Sequence, residues 1–166
     1  MPLHLQEAAQ SPVPLCIAEH AARGDHAVGL NENKEVTMAN VKLGTKAVGS
    51  IVKIKVNGAS KDFIVVQQGN PNTSTYDSSC NGTWLLMKDI YTTSTFGNNN
   101  SYKDSSIHTY LNGTFYNLID SNIRAAIKQV KIPYQNGTGS GGSLATGSNG
   151  LSTKVFLLSG YEVGWT

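Results

Sequence analysis

Charge is scarce in this chain. Charged residues make up 14% of its 166 positions, against about 25% in a typical soluble domain. Hydrophobic residues are also few, at 39%, where about 45–50% is usual. Gly, Asn, Ser and Thr fill the difference, and they build turns, loops and uncharged polar surface. Such a composition suits a loop-rich β-containing protein better than a helical bundle, and the length suits one domain. Compact apolar runs and a net charge of only +2 argue against disorder. The two cysteines, Cys16 and Cys80, are far apart and show no CxxC or Cys/His spacing, which excludes a zinc site. Spacing leaves a disulfide between them open. No apolar stretch approaches the roughly 20 residues of a membrane-spanning helix. The N-terminus has no basic n-region, and Pro12, Pro14, Glu19 and His20 interrupt its apolar residues, so it does not read as a signal peptide. A particle protein released by lysis would need none.

The charge that is present is uneven. Residues 1–37 set Arg23 and Lys34 against five acidic residues, whereas residues 38–166 carry eleven basic and six acidic ones. The lysines are scattered, without the clustering that nucleic-acid binding requires, and read as a solvated surface. Residues 1–37 also hold three of the four histidines (His4, His20, His26) and one of the two arginines. The composition shifts at Met38, which is expected to be the natural start, with 1–37 as an added extension and 38–166 as the domain. The alternative is a helical arm around Cys16 to Arg23.

Ser50 to Val56 alternates Lys53 and Lys55 with Ile54 and Val56, the pattern of a half-buried strand. Asn57-Gly58 follows, the strongest short hairpin signal, and Lys61 to Gln67 forms the return strand. Its Phe63 to Val66 run lacks alternation and is expected to be covered on both faces. Asn70 to Gly82 is a polar loop, Thr83 to Lys88 a third, buried strand, and Asp89 to Lys103 another loop. Asp104 or Ser105 can cap a helix whose apolar face is Ile107, Tyr110, Leu111 and Phe115. Asn112-Gly113 should divide that helix into two short pieces. Asp120 or Ser121 restarts a turn with Ile123, Ala126 and Ile127 as its apolar face. Val130 to Ile132 reads as a short strand ended by Pro133. Tyr134 to Thr153 reads as a long flexible loop, and Lys154 to Ser159 as an apolar strand.

Five segments together resemble a known family: residues 48–53, 84–89, 105–115, 127–134 and 155–165, the last reading Val-Phe-Leu-Leu-Ser-Gly-Tyr-Glu-Val-Gly-Trp. The chain from Val41 to Thr166 is similar to an uncharacterised domain family of gut bacteria and their phages that is related to C-type-lectin-like folds. The resemblance implies an α+β, C-type-lectin-like architecture. That fold also carries variable receptor-binding proteins of diversity-generating retroelements and the formylglycine-generating enzymes. Members of the family continue beyond Trp165 to a further segment and a final strand. The domain is therefore expected to be truncated at Thr166, with its hairpin and its Val155 to Leu158 strand left without partners.

The chemistry-bearing side chains do not form a recognisable set. His108 reads as a surface helix histidine near the Asp104 cap rather than a general base. Asp62, Asp77, Asp89, Asp104, Asp120 and Glu162 are isolated, without calcium-loop spacing, and Asp77 and Asp89 suit turn or cap roles. Cys80 is a candidate reactive thiol with no base to place beside it. The glycines of 137–150 lack the context of a phosphate loop. Five Asn-x-Ser/Thr sequons, at Asn72, Asn81, Asn99, Asn112 and Asn136, follow from composition. Tyr76, Tyr91, Phe96 and Tyr102 lie in or beside polar loops, the chemistry of adaptable binding surfaces. The expected function is a non-enzymatic binding or display domain for a protein or glycan ligand, associated with a phage tail or bacterial surface. No catalytic residue, cofactor, metal or nucleic-acid partner is expected, and a homo-oligomer is open. The alternatives are a self-assembling structural component of a virion and, last, a fragment of a formylglycine-generating-type enzyme.

Overall fold

Asn57 and Gly58 set the first element of the fold. Both have positive φ, 50° and 74°, which a two-residue turn requires to match the twist of its strands. The computed structural model describes residues 14–17, 42–97, 101–136, 142–159 and 162, with the backbone alone at 14–17 and 136. Around the turn, β2 (Ile51–Val56) pairs antiparallel with β3 (Ala59–Gln68), from Val56 opposite Ala59 to Ile51 opposite Ile64. Val52, Ile54 and Val56 are buried on one face, as the alternation predicts, while Ile51 on the other is 52% exposed.

β3 pairs in turn with β4 (Thr83–Met87), so the hairpin does have a partner, against expectation. A short strand, β1 (Pro14–Ile17), lies on the far edge of β4. The resulting antiparallel sheet has the order β1-β4-β3-β2. Pro14–Ile17 is extended where the alternative reading placed the start of a helical arm; the rest of residues 1–41 lies outside the described residues.

One irregularity organises the interior. The β3–β4 register shifts between Val65, opposite Leu85, and Gln67, opposite Trp84, which leaves Val66 as an extra residue. Successive side chains of a strand face opposite ways. Phe63 and Val65 accordingly join one apolar cluster with Leu85 and Met87, while Val66 packs on a second with Trp84. The apolar run at Phe63–Val66 is thus covered on two faces, fully at Phe63 and Val65 and partly at Ile64 and Val66.

The helical segment packs on the first cluster. α1 (Ser106–Tyr110) and α2 (Tyr116–Leu118) are the two expected pieces, but a π-helical turn at Leu111–Phe115 joins them instead of a break. The Ser105 side chain caps α1 by accepting from His108 N, and Asp120 caps α3 (Ser121–Ala126) by accepting from Asn122 N. Leu111, Phe115, Ile119, Ile123 and Ile127 complete the cluster. Asn57 N donates to Leu118 O (2.7 Å) and Asp120 N to Lys55 O (3.0 Å), which fastens the helical layer to the hairpin end.

The last third departs most from the sequence reading. β5 (Val130–Ile132) pairs with β8 (Leu151–Thr153), and β6 (Tyr134–Asn136) with β7 (Ser143–Ala145). The segment read as a long loop, Tyr134 to Thr153, therefore contains three short strands and a 3-10 turn at Gly147–Asn149. Its residues 137–141 lie outside the described residues. The expected strand at Lys154–Ser159 is displaced upstream to β8. Val155 and Phe156 are buried completely; Val155 forms an isolated bridge rather than part of a strand, and the Asn112 side chain also bonds its N–H and C=O. Overall the architecture is α+β.

The alternation of the hairpin can be tested by two truncations. Phe63→Ala, fully buried, is expected to lower the free energy of unfolding by about 3–5 kcal/mol. Ile51→Ala on the exposed face should change it by no more than about 0.5 kcal/mol. Urea titrations of the two variants make the comparison.

Candidate binding surface

Asn112, at the second position of the π turn, joins the helical segment to the C-terminal segment. Its Oδ1 accepts from Lys154 N (2.8 Å), Val155 N (3.2 Å) and Thr153 Oγ1 (3.1 Å). Its Nδ2 donates to Val155 O (2.9 Å) and His108 O (3.1 Å). Tyr102 Oη adds a further acceptor, for Leu157 N at 3.0 Å. Burial pushes the Tyr102 phenol above its ordinary pKa, and the bond from Leu157 N opposes this in part. Held in this way, successive residues go to different interiors: Val155 joins the first cluster and Phe156 the second.

The second cluster occupies the Cys80 thiol. Trp84 stands edge-on to Tyr76 (5.5 Å) and Phe156 (5.3 Å), and its Nε1 donates to Cys80 O at 3.0 Å. Cys80 is fully buried and free, and Sγ donates to Lys131 O at 3.3 Å. Burial pushes its pKa up to about 11. A thiol with that pKa is protonated at neutral pH and is a packing group, which ends the reading of Cys80 as a reactive thiol.

The other chemistry-bearing residues are spread over local tasks. His108 lies edge-on to Tyr102 (5.1 Å), and its backbone N–H, not its ring, bonds the Ser105 cap. Burial lowers its pKa, and Asp104 opposes this in part. Asp104 itself bonds Lys103 (2.8 Å), and Asp62 bonds Lys53 (2.7 Å); each carboxyl is held below its usual pKa by that bond. Asp77 accepts from Ser79 N (2.9 Å) to cap the 3-10 turn Ser78–Cys80. Glu162 accepts from Tyr76 Oη (2.5 Å), Ser159 N (2.7 Å) and Ser159 Oγ (3.0 Å), and so ties the C-terminal segment to the second cluster. Among the described residues no group of three or more His, Cys, Asp or Glu is placed to hold a metal ion. Of the sequons, Asn112 has its amide fully engaged, and Asn72 Oδ1 accepts from Ser74 N and Oγ in a local turn. Asn99 and the Asn136 side chain lie outside the described residues.

The loop aromatics divide. Tyr76 is buried in the second cluster, Tyr91 packs edge-on to Phe115 at 5.1 Å, and Tyr102 packs on the second cluster while its hydroxyl accepts from Leu157 N. Phe96 is the most exposed of the four, at 38%, with its ring tilted against Tyr102 at 6.5 Å, and Ile90 beside Tyr91 is 53% exposed. Ile90 drew no attention in the sequence. Its signal was an apolar residue in a polar loop with no periodic partner. The root of this loop is fixed: Ser106 N donates to Phe96 O (3.0 Å), and Gly97 has φ 100° with Ser106 Oγ 3.0 Å from where a Cβ would stand. Lys61, Asp62, Met87, Asp89, Ile90 and Tyr91 line a depression of about 10 Å³, room for about one water. The surface is therefore shallow, with apolar side chains projecting from a pinned loop.

With this geometry in view, comparison with known families gives one match. Residues 81–166, just over half of the chain, match the domain of unknown function DUF6273. The chain belongs to the DUF6273 family. No curated protein and no solved structure matched it. The matched part of this DUF6273 chain opens just before β4 and contains Trp84, Asn112 and the C-terminal segment that Asn112 holds. The β2–β3 hairpin precedes it.

Two measurements test these assignments. Replacing Asn112 by Ala removes the acceptor for two backbone N–H groups and is expected to cost at least about 2 kcal/mol, by urea unfolding. In a Cys16→Ser background, Cys80 should resist iodoacetamide in the native chain at pH 8 and react fully in 8 M urea. The same raised pKa makes stability fall as pH rises from about 9 to about 11, because the unfolded thiol ionises first.

Proposed function

We propose that this DUF6273 chain is a non-enzymatic binding domain of C-type-lectin-like architecture, displayed on a phage tail or bacterial surface, whose ligand is a protein or a glycan. The observation that carries the reading is the 88–97 loop. Ile90 is half exposed and Phe96 partly so, on a loop fixed at Tyr91 by Phe115, at Phe96 by Tyr102 and at Phe96 and Gly97 by Ser106. Between them lie Thr92, Thr93, Ser94 and Thr95, all exposed hydroxyls. Apolar anchors on a rigid scaffold, interleaved with adaptable hydrogen-bonding groups, are the chemistry of a recognition surface. The non-enzymatic part draws on the structural bonds that occupy Cys80, Tyr102, Asp77 and Glu162. The lectin-like part draws on the order of the resembling segments and on the α+β architecture.

The test is a protein and glycan array probed with the wild-type chain and with Ile90→Ser/Phe96→Ser. Both positions are exposed, so thermal unfolding should move little. Loss of two anchors is expected to weaken binding at least about tenfold. Retained binding in the double variant would remove the loop from the ligand site. An array without signal, together with concentration-dependent assembly of the wild-type chain, would replace the reading by self-assembly.

A further inference from the structure

The bonds around Asn112 fix the place of a proton as well as a segment. Its Oδ1 faces the backbone N–H groups of Lys154 (2.8 Å) and Val155 (3.2 Å), which can only donate. Its Nδ2 faces the carbonyls of Val155 (2.9 Å) and His108 (3.1 Å), which can only accept. The amide therefore has one orientation. The same Nδ2 stands 3.4 Å from His108 Nδ1. An amide NH2 offers donors alone, so Nδ1 must present its lone pair to it. That leaves the ring neutral, with its proton on Nε2. At 3.4 Å the contact is long for a hydrogen bond, and its weight lies in what protonation of Nδ1 would do to it.

The ring sits where such a change is felt. His108 and Asn112 are four residues apart in one helical run, so the imidazole and the amide share a face. Tyr102 closes the ring in edge-on, and its hydroxyl holds Leu157 N of the same C-terminal segment. The charged group that acts on the ring is Asp104, and it favours the cation. Asp104 Oδ1 is itself taken by Lys103 Nζ at 2.8 Å. From the C-terminal segment, Lys154 turns its Nζ to Tyr116 Oη (3.1 Å), and the charge of Glu162 acts on the Tyr102 phenol. His108 is partly buried, so solvent protons reach it.

We propose that His108 is a proton-operated latch on the C-terminal segment: its neutral ring accepts the Asn112 NH2 and leaves the clamp on Lys154 and Val155 closed, and its protonated ring sets an N–H against that NH2 and loosens the clamp. Burial holds the folded ring below the ordinary histidine pKa, with Asp104 opposing in part. The unfolded ring takes up its proton near the ordinary value, about 6.5. The unfolded chain therefore binds more protons in that window, and stability is lost as pH falls through about 6.5 toward the lower folded value. The loss falls first on the residues that Asn112 bonds, Thr153–Val155, while the β2–β3 hairpin carries no bond to this ring. The latch stands on the clamp alone and is independent of what the 88–97 loop binds.

Two NMR measurements on the full-length chain test the proposal. Long-range nitrogen spectra near neutral pH should show His108 with Nδ1 bare and Nε2 protonated; the opposite tautomer overturns the proposal. Amide exchange, corrected for its intrinsic pH dependence, is then compared at about pH 7.5 and about pH 5. Protection of the Lys154 and Val155 amides is expected to fall at least about threefold at the lower pH while Ile51–Val65 stays protected. In His108→Phe, which keeps a ring against Tyr102 but has no nitrogen to titrate, that fall should disappear. Where the Phe variant does not fold, His108→Gln takes its place. Unchanged protection in the wild-type chain overturns the latch. So does a fall shared equally by Ile51–Val65, or one that persists in the variant.

Discussion

The side-chain amide of Asn112 is the contact on which the C-terminal third depends. It offers one acceptor and one donor group, and both meet complementary backbone partners on Thr153–Val155. The π turn at Leu111–Phe115 is the local device that presents it. A single extra residue per turn in an otherwise α-helical run re-aims the side chains around it. Leu111 and Phe115 still face the core, fully buried, while Asn112 reaches a segment 43 residues away. A β ladder would have satisfied the same N–H and C=O groups. It would also have forced Val155 and Phe156 into a regular pleat. The side-chain clamp holds that stretch buried with no more than an isolated bridge at Val155.

That substitution explains where the sequence was legible. The β2–β3 hairpin could be read because its determinants are local: an alternation of period two, and two residues that tolerate positive φ. The caps at Ser105 and Asp120 could be read for the same reason, since a capping oxygen serves an N–H two or three residues away. The apolar run Val155–Leu158 carries the pattern of a strand, but nothing near it encodes the Asn112 amide or the Tyr102 hydroxyl that bind it instead. β6, β7 and β8 are three residues each, too short for periodicity to separate them from the Gly- and Ser-rich turns between them.

The placement of the loop aromatics was not legible in the sequence. Four aromatic residues in polar loops suggested recognition, and three of them turned out to anchor loops onto the two clusters. An aromatic ring buries more surface than most side chains, so a ring in a loop most often serves to fasten it. Of the apolar residues on this loop, Ile90 and Phe96 stay the most exposed. Under the proposed reading, such anchors would lower the conformational freedom the loop loses on binding.

The bulge at Val66 ties these features together. Without the bulge, Val66 would stand opposite Trp84 and the two strands would stay in one register. Beside the shift, β3 serves the first cluster through Phe63 and Val65 and the second through Val66. β4 makes the same division with no bulge, through Leu85 and Trp84, simply because neighbours on a strand face opposite ways. Two interiors therefore share one strand, and the C-terminal segment bridges them again at Val155 and Phe156. A change that loosens β4 must reach both clusters at once, and with them the root of the 88–97 loop, which begins directly after Met87.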